Sequence, residues 1–158
     1  MGMNKGILTA LVSIIVAQGL KIPLHYVKSG KWKGGLFFQT GGMPSSHSAG
    51  VASLATFIAL KRGFRTMDFA LAFIFGIIVM YDAQGIRRQT GELTLKVNSL
   101  NDLVQKANEQ EGVPFEEKQP KRLKEMLGHR PEEVVGGAVL GVITGLISHR
   151  TWGNRKSR

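Results

Sequence analysis

The chain has no cysteine. That removes a disulfide framework, a thiol nucleophile and any cysteine-based metal site, so a bound metal would need His, Asp or Glu ligands. It is also poor in acid, with 11 Asp and Glu against 21 Lys and Arg and a formal net charge of +10 over 158 residues. Such a balance suits nucleic acid, anionic lipid or a phosphate-bearing substrate. No nucleic-acid-binding module is recognisable, and the cations gather at the ends of apolar runs, in loops and in the tail, so nucleic acid is set aside. No small-residue cleavage signature follows the first apolar block, which argues against a signal peptide. Internal repeats are not evident. Average hydrophobicity is missing too, since the mean hydropathy is +0.00, the value of an ordinary soluble protein. That average conceals four apolar blocks diluted by a long polar segment between Arg87 and Arg130.

The first block, Ile7 to Leu20, continues in a helix-compatible pattern through Ile22, Leu24 and Val27, with a kink expected at Pro23. Lys21, His25 and Lys28 share a face near its end. There a lysine ordinarily snorkels to the headgroups, and the alternative is that Lys21 faces the interior and meets a phosphate. Gly- and aromatic-rich sequence from Ser29 to Gly42 reads as an interfacial loop. The second helix follows from Ser45 to about Leu60, capped by Ser45 or Ser46. Being short, it is a shallow or tilted crossing or is packed inside a bundle. Thr66 and Asp68 open the third, whose run Phe69 to Met80 is apolar on all sides, unlike a soluble amphipathic helix. Leu93, Val97, Leu100 and Val104 then recur at intervals of four, three and four, giving an amphipathic helix outside the bilayer that lies on the membrane or covers the site. A short basic helix is expected from Lys121 to Leu127. Pro131 and two glutamates begin the last span, where Gly136, Gly137, Gly141 and Gly145 offer a close-packing stripe. The expected fold is all-α: one membrane-embedded domain over residues 1–158, with spans near 6–27, 45–61, 66–86 and 131–148 and an amphipathic helix within the 89–127 loop.

If each apolar block crosses once, parity brings Lys21, Ser45 to His47, Asp82 to Arg88 and His129 to Glu133 to one membrane face. His129 and Glu133 are four apart at a helix start, so the carboxylate can hold one imidazole nitrogen and leave the other free as a nucleophile. His47 can donate a proton to a leaving oxygen near neutral pH. Lys21, Arg87, Arg88 and Arg130, with Ser45, Ser46 and the N–H groups after Pro44, form a positive cradle for a phosphoryl group. Asp82 is a carboxylate at span depth, costly unless paired or functional.

These residues resemble a known superfamily. Pro44-Ser45-Ser46-His47 looks like the Pro-Ser-Gly-His block of the type 2 phosphatidic acid phosphatases and vanadium haloperoxidases. His129 followed four later by Glu133 resembles their nucleophilic His followed four later by Asp. Residues 43–48, 81–88 and 127–134 resemble most closely the divergent membrane branch, over nearly the whole chain. The resemblance implies a membrane phosphatase, acting on a lipid phosphate or isoprenyl diphosphate through a phosphohistidine, with no metal or other cofactor. His129 would be the nucleophile, Glu133 its orienting acid and His47 the general acid. Two blocks depart from the pattern: Lys28-Ser29 stands where Arg-Pro is expected after Lys21, and Leu123 stands where an Arg precedes the nucleophile by six. The alternative is a catalytically silent membrane protein that binds anionic headgroups or scaffolds a complex. The expected setting is multi-pass in the cell membrane. Cations are more numerous on the site side, but the long loop counts little in such a comparison, so orientation stays open, as does homo-oligomerisation.

Overall fold

The structure is a computed structural model that describes residues 3–38, 41–111, 122–123 and 128–153. The described residues form five α-helices: α1 (Lys5–Ser29), α2 (Ser46–Arg62), α3 (Met67–Gln84), α4 (Ile86–Glu111) and α5 (Pro131–Ser148). A 3₁₀ turn, Gly34–Phe38, lies in the first loop, and a π-turn, His149–Gly153, extends α5. Among the described residues there is no strand. The expected helix at Lys121 to Leu127 falls mostly outside the described residues.

Local sequence sets the helix starts. Asn4 caps α1 by accepting from the Gly6 N–H at 2.8 Å, Ser45 caps α2 through Ser48 N–H at 3.4 Å, and Thr66 caps α3 through Phe69 N–H at 3.3 Å. Pro23 lies inside α1, and Gly30 at φ 65° ends that helix with its N–H on the Tyr26 carbonyl, a left-handed cap that glycine adopts without strain.

α2 packs against α1, α3 and α5, making it the centre of the bundle. Its 17 residues reach about 25 Å, short of a hydrocarbon core of about 30 Å, whereas α1, α3 and α5 are each long and apolar enough to cross. The inward faces are built from small and polar residues at intervals of four. On α1 they are Thr9, Ser13, Ala17 and Lys21, all buried, and on α2 they are Ser45, Ala49 and Ser53, each fully buried. α5 brings Gly137, Gly141 and Gly145 against the carbonyls of those same three α2 residues. A methyl group at Gly141 would lie 2.5 Å from the Ala49 oxygen and one at Gly145 2.8 Å from the Ser53 oxygen, so the two backbones approach as only glycine allows. Hydroxyls stitch the third contact: Ser13 donates to Ala49 O at 3.0 Å, and Thr144 donates to Ser13 Oγ at 2.8 Å.

Large apolar side chains lie outside. Ile7, Leu11 and Ile15 of α1, Phe73, Ile74, Phe75, Ile77 and Ile78 of α3, and Val135, Val139, Ile143 and Ile147 of α5 are exposed. In water this inside-out arrangement would forfeit most of the hydrophobic stabilisation. In lipid it is the expected one, because tails solvate Leu and Ile as well as a protein core does, and close packing with interhelical hydrogen bonds carries association instead. The protein is an integral, multi-pass membrane protein.

Candidate functional site

The ends of α1 and α3 and the beginnings of α2 and α5 meet at one end of the bundle, as parity requires. Three backbone contacts fix them. Ser45 N–H donates to the Glu133 carbonyl at 2.9 Å, tying the cap of α2 to the first turn of α5. His129 N–H donates to the Ala83 carbonyl at 3.1 Å, tying the approach to α5 onto the end of α3. Gly128 lies flat against the Arg87 and Arg88 backbone, where any Cβ would clash. The glycine before His129 is thus required by close approach rather than by a turn.

His129 is 3% exposed. Its Nδ1 is 3.1 Å from Glu133 Oε2, and the same oxygen accepts the Arg130 N–H at 3.2 Å. One turn of helix therefore supplies both the carboxylate and the backbone restraint on it. With Nδ1–H donating to Glu133, Nε2 keeps a lone pair, the state a nucleophilic imidazole needs. The His47 ring stands edge-on to that of His129, with centroids 5.9 Å apart, and is itself exposed at the opening of the site. Arg87, Lys21 and Asp82 all lie within electrostatic reach of His47, and Glu133 within reach of Lys21. The N-termini of α2 and α5 converge here, so two helix dipoles add to the positive field.

Lys21 is buried, 5% exposed, as the last member of the inward stripe of α1. The sequence left it between snorkelling and facing the interior, and the interior position is the observed one. An ammonium at that depth requires negative charge nearby, which Glu133 provides. Arg87 holds Asp82 at 2.8 Å, giving the span-depth carboxylate a partner next to the histidines. The remaining candidates are committed elsewhere. Arg88 turns to Glu92 on α4 at 3.0 Å, and Arg130 lies 3.8 Å from Glu132. Ser45 and Ser46 are buried in the packing of α2, and the Ser45 hydroxyl accepts from both the N–H and the hydroxyl of Ser48. Near Leu123, which stands where the resemblance expects an arginine, Arg122 reaches Asp102 on α4 at 3.6 Å, and Asn98 clasps the Leu123 backbone with two hydrogen bonds of 3.0 Å. Among the described residues no three of His, Asp and Glu converge as metal ligands would.

The anchors that the residue pattern did not reveal are the Ala83 and Glu133 carbonyls. Backbone acceptors leave no mark in a sequence, although a glycine directly before the histidine was a readable sign of close approach.

A model of the Divergent PAP2 family matches residues 2–144. The chain belongs to that family. The matched region runs from the beginning of α1 to near the end of α5, so it takes in every residue of the histidine site. The chain is also similar to the uncharacterized membrane protein YuiD of Bacillus subtilis (strain 168), with 42% identity over 148 residues, covering 91% of this chain and 93% of that protein. No solved structure matches the chain.

Proposed function

We propose that this member of the Divergent PAP2 family is a membrane phosphatase that hydrolyses a lipid phosphate or diphosphate through a phosphohistidine on His129. The observation that carries the reading is the His129–Glu133 contact of 3.1 Å, with the His47 ring beside it at 5.9 Å. In the first half-reaction, Nε2 of His129 attacks phosphorus and the bond from phosphorus to the leaving oxygen breaks, with protonated His47 giving its proton to that oxygen. Glu133 holds Nδ1–H and balances the charge that develops on the imidazole. In the second, neutral His47 takes a proton from water as it attacks phosphorus, the N–P bond breaks, and orthophosphate leaves. Lys21 and Arg87, with the two helix N-termini, offset the charge on the equatorial oxygens. The apolar outer faces deliver a lipid substrate from the bilayer side, which favours a lipid-linked phosphate over a soluble one.

A second reading, a silent protein that binds anionic headgroups, is favoured by one observation: Arg87, Arg88 and Arg130 each lie against an acid, which lowers the positive charge left for a phosphate. Phosphate release from lipid phosphates and isoprenyl diphosphates by purified protein separates the two, measured with and without chelator and alongside His129→Ala and His47→Ala. Chelator-resistant turnover lost in both variants is the result expected of the phosphatase. Binding without turnover on any substrate would leave the silent reading.

A further inference from the structure

α4 serves the histidine site only through its first turn, which carries Arg87 and Arg88; the rest of the helix has no part in it. The helix runs on from α3 through a one-residue break at Gly85, where Gly85 N–H still reaches Tyr81 O at 2.8 Å and Gln89 N–H reaches Gly85 O at 3.0 Å. Among the described helices it packs substantially only on α3. Along it, Ile86, Leu93, Val97, Leu100 and Val104 form a stripe, each between 41% and 63% exposed. On another face Gly91 and Asn98 are buried, and Asn98 holds Leu123.

From Ile86 to Ala107 the spacing is heptad, with Ile86, Leu93, Leu100 and Ala107 at d and Thr90, Val97 and Val104 at a. β-branched residues at a with leucine at d is the combination that favours two parallel strands. Membrane topology asks for the same geometry. Two copies inserted the same way are related by rotation about the membrane normal, so α4 helices that continue α3 along that normal run parallel. The flanking positions are compatible, since in a parallel pair Gln89 faces Thr94 and Lys96 faces Asn101, with no like charges opposed. A membrane surface is the poorer occupant. Between residues 89 and 107 Lys96 and Lys106 are balanced by Glu92 and Asp102, whereas a helix that lies on anionic lipid carries an excess of cations. Three heptads, about 33 Å of helix, would be marginal for free peptides, but α3 tethers each copy in the bilayer and raises the effective concentration of its partner.

We propose that α4 is a dimerisation helix that pairs in parallel with α4 of a second copy of this chain. The absence of cysteine makes the test clean. Leu93→Cys and Leu100→Cys at the seam, and Ser99→Cys on the outer face, are oxidised mildly in membranes holding the full chain and resolved without reductant. The two seam variants should form disulfide-linked dimer at least ten times faster than the outer one. Equal rates at all three positions, or no dimer at any, would overturn the proposal. In detergent, the intact protein should have the mass of two chains and Leu93→Glu/Leu100→Glu that of one. These positions are exposed, so the double variant keeps the bundle. A single-chain mass for the intact protein, or a mass unchanged by the double substitution, would also overturn it.

Discussion

α5 has a histidine near each end, and the two could hardly be placed more differently. His129 precedes the helix, is buried, and has Glu133 on its Nδ1 and His47 beside it. His149 follows the helix, in the π-turn, with its ring edge-on to Phe57 at 6.2 Å and Gly153 close against it. Both ends of the bundle hold cations. At the far end Lys61 and Arg62 line a cavity of about 740 Å³ together with Asn4, Ile7, Leu54 and Asp68, and Arg62 meets Asp68 at 3.6 Å with both side chains exposed, a pair worth about 0–1 kcal/mol. What separates the two ends is direction. The far end gathers the beginnings of α1 and α3 and the close of α2 and α5, so the helices that pack most tightly turn their negative dipole ends toward it, and among the described residues no acid holds its histidine. On the proposed function, charge and histidine content are thus not enough to make a phosphoryl site. An imidazole oriented by a carboxylate, at the positive ends of α2 and α5, is what the near end has and the far end lacks.

The most disruptive way to test this comparison is to separate α5 from α2. Gly141→Leu forces a branched side chain against the Ala49 carbonyl, Ala52 and Ser53, at a cost on the order of 3 kcal/mol or more. Its thermal unfolding in detergent should fall well below that of the parent, and both ends should lose their structure together. His129→Ala should leave the bundle intact and removes the proposed nucleophile; phosphate release should drop by about 10³-fold or more, while unfolding temperature changes little. Glu133→Gln keeps the shape of the orienting side chain but removes its charge. Turnover should fall by about 10²- to 10⁴-fold, mainly in kcat. His149→Ala should be the mildest, with activity within about twofold of the parent and stability within about 0.5 kcal/mol, as expected of a side chain outside the chemistry. Equal losses from His129→Ala and His149→Ala would erase the distinction between the two ends.

The same comparison shows what the sequence could reveal. His129 and Glu133 were readable because four residues make one helical turn, and a contact within one turn depends on no other element. Parity likewise brought Lys21, His47, Asp82 and His129 to one face, since it needs only the number of crossings. Contacts between helices were less legible. The glycine stripe of α5 announced a close neighbour, but that the neighbour is the Ser45, Ala49 and Ser53 edge of α2 depends on how each helix is rotated about its axis. For the same reason the buried Thr9 and Ser13 and the half-buried Thr144 gave no signal, a hydroxyl on a span being as compatible with a lipid-facing surface as with an interhelical bond. Arg88, Arg130 and the hydroxyl of Ser45 were grouped with the phosphate cradle because of their position in the chain, whereas their side chains meet Glu92, Glu132 and Ser48. Long side chains choose among several partners within reach, and composition does not say which one is taken. The 89–107 segment was correctly read as amphipathic. That it extends from Ile86 to Glu111 and follows α3 almost without a break was hidden by Gly85, a residue as common in loops as in helix junctions.

The central claim is that His129 carries the phosphoryl group. Its most direct test is to mix the protein with a turnover-competent lipid substrate labelled at the transferred phosphorus, denature within the first turnover, and locate the label on the chain. The mechanism predicts a covalent label that is stable to alkali, labile to acid and attached to His129. Chemical competence also requires the label to be released by water at the rate of steady turnover. A substrate that turns over while the chain remains unlabelled, or a label that persists in His129→Ala, would contradict it.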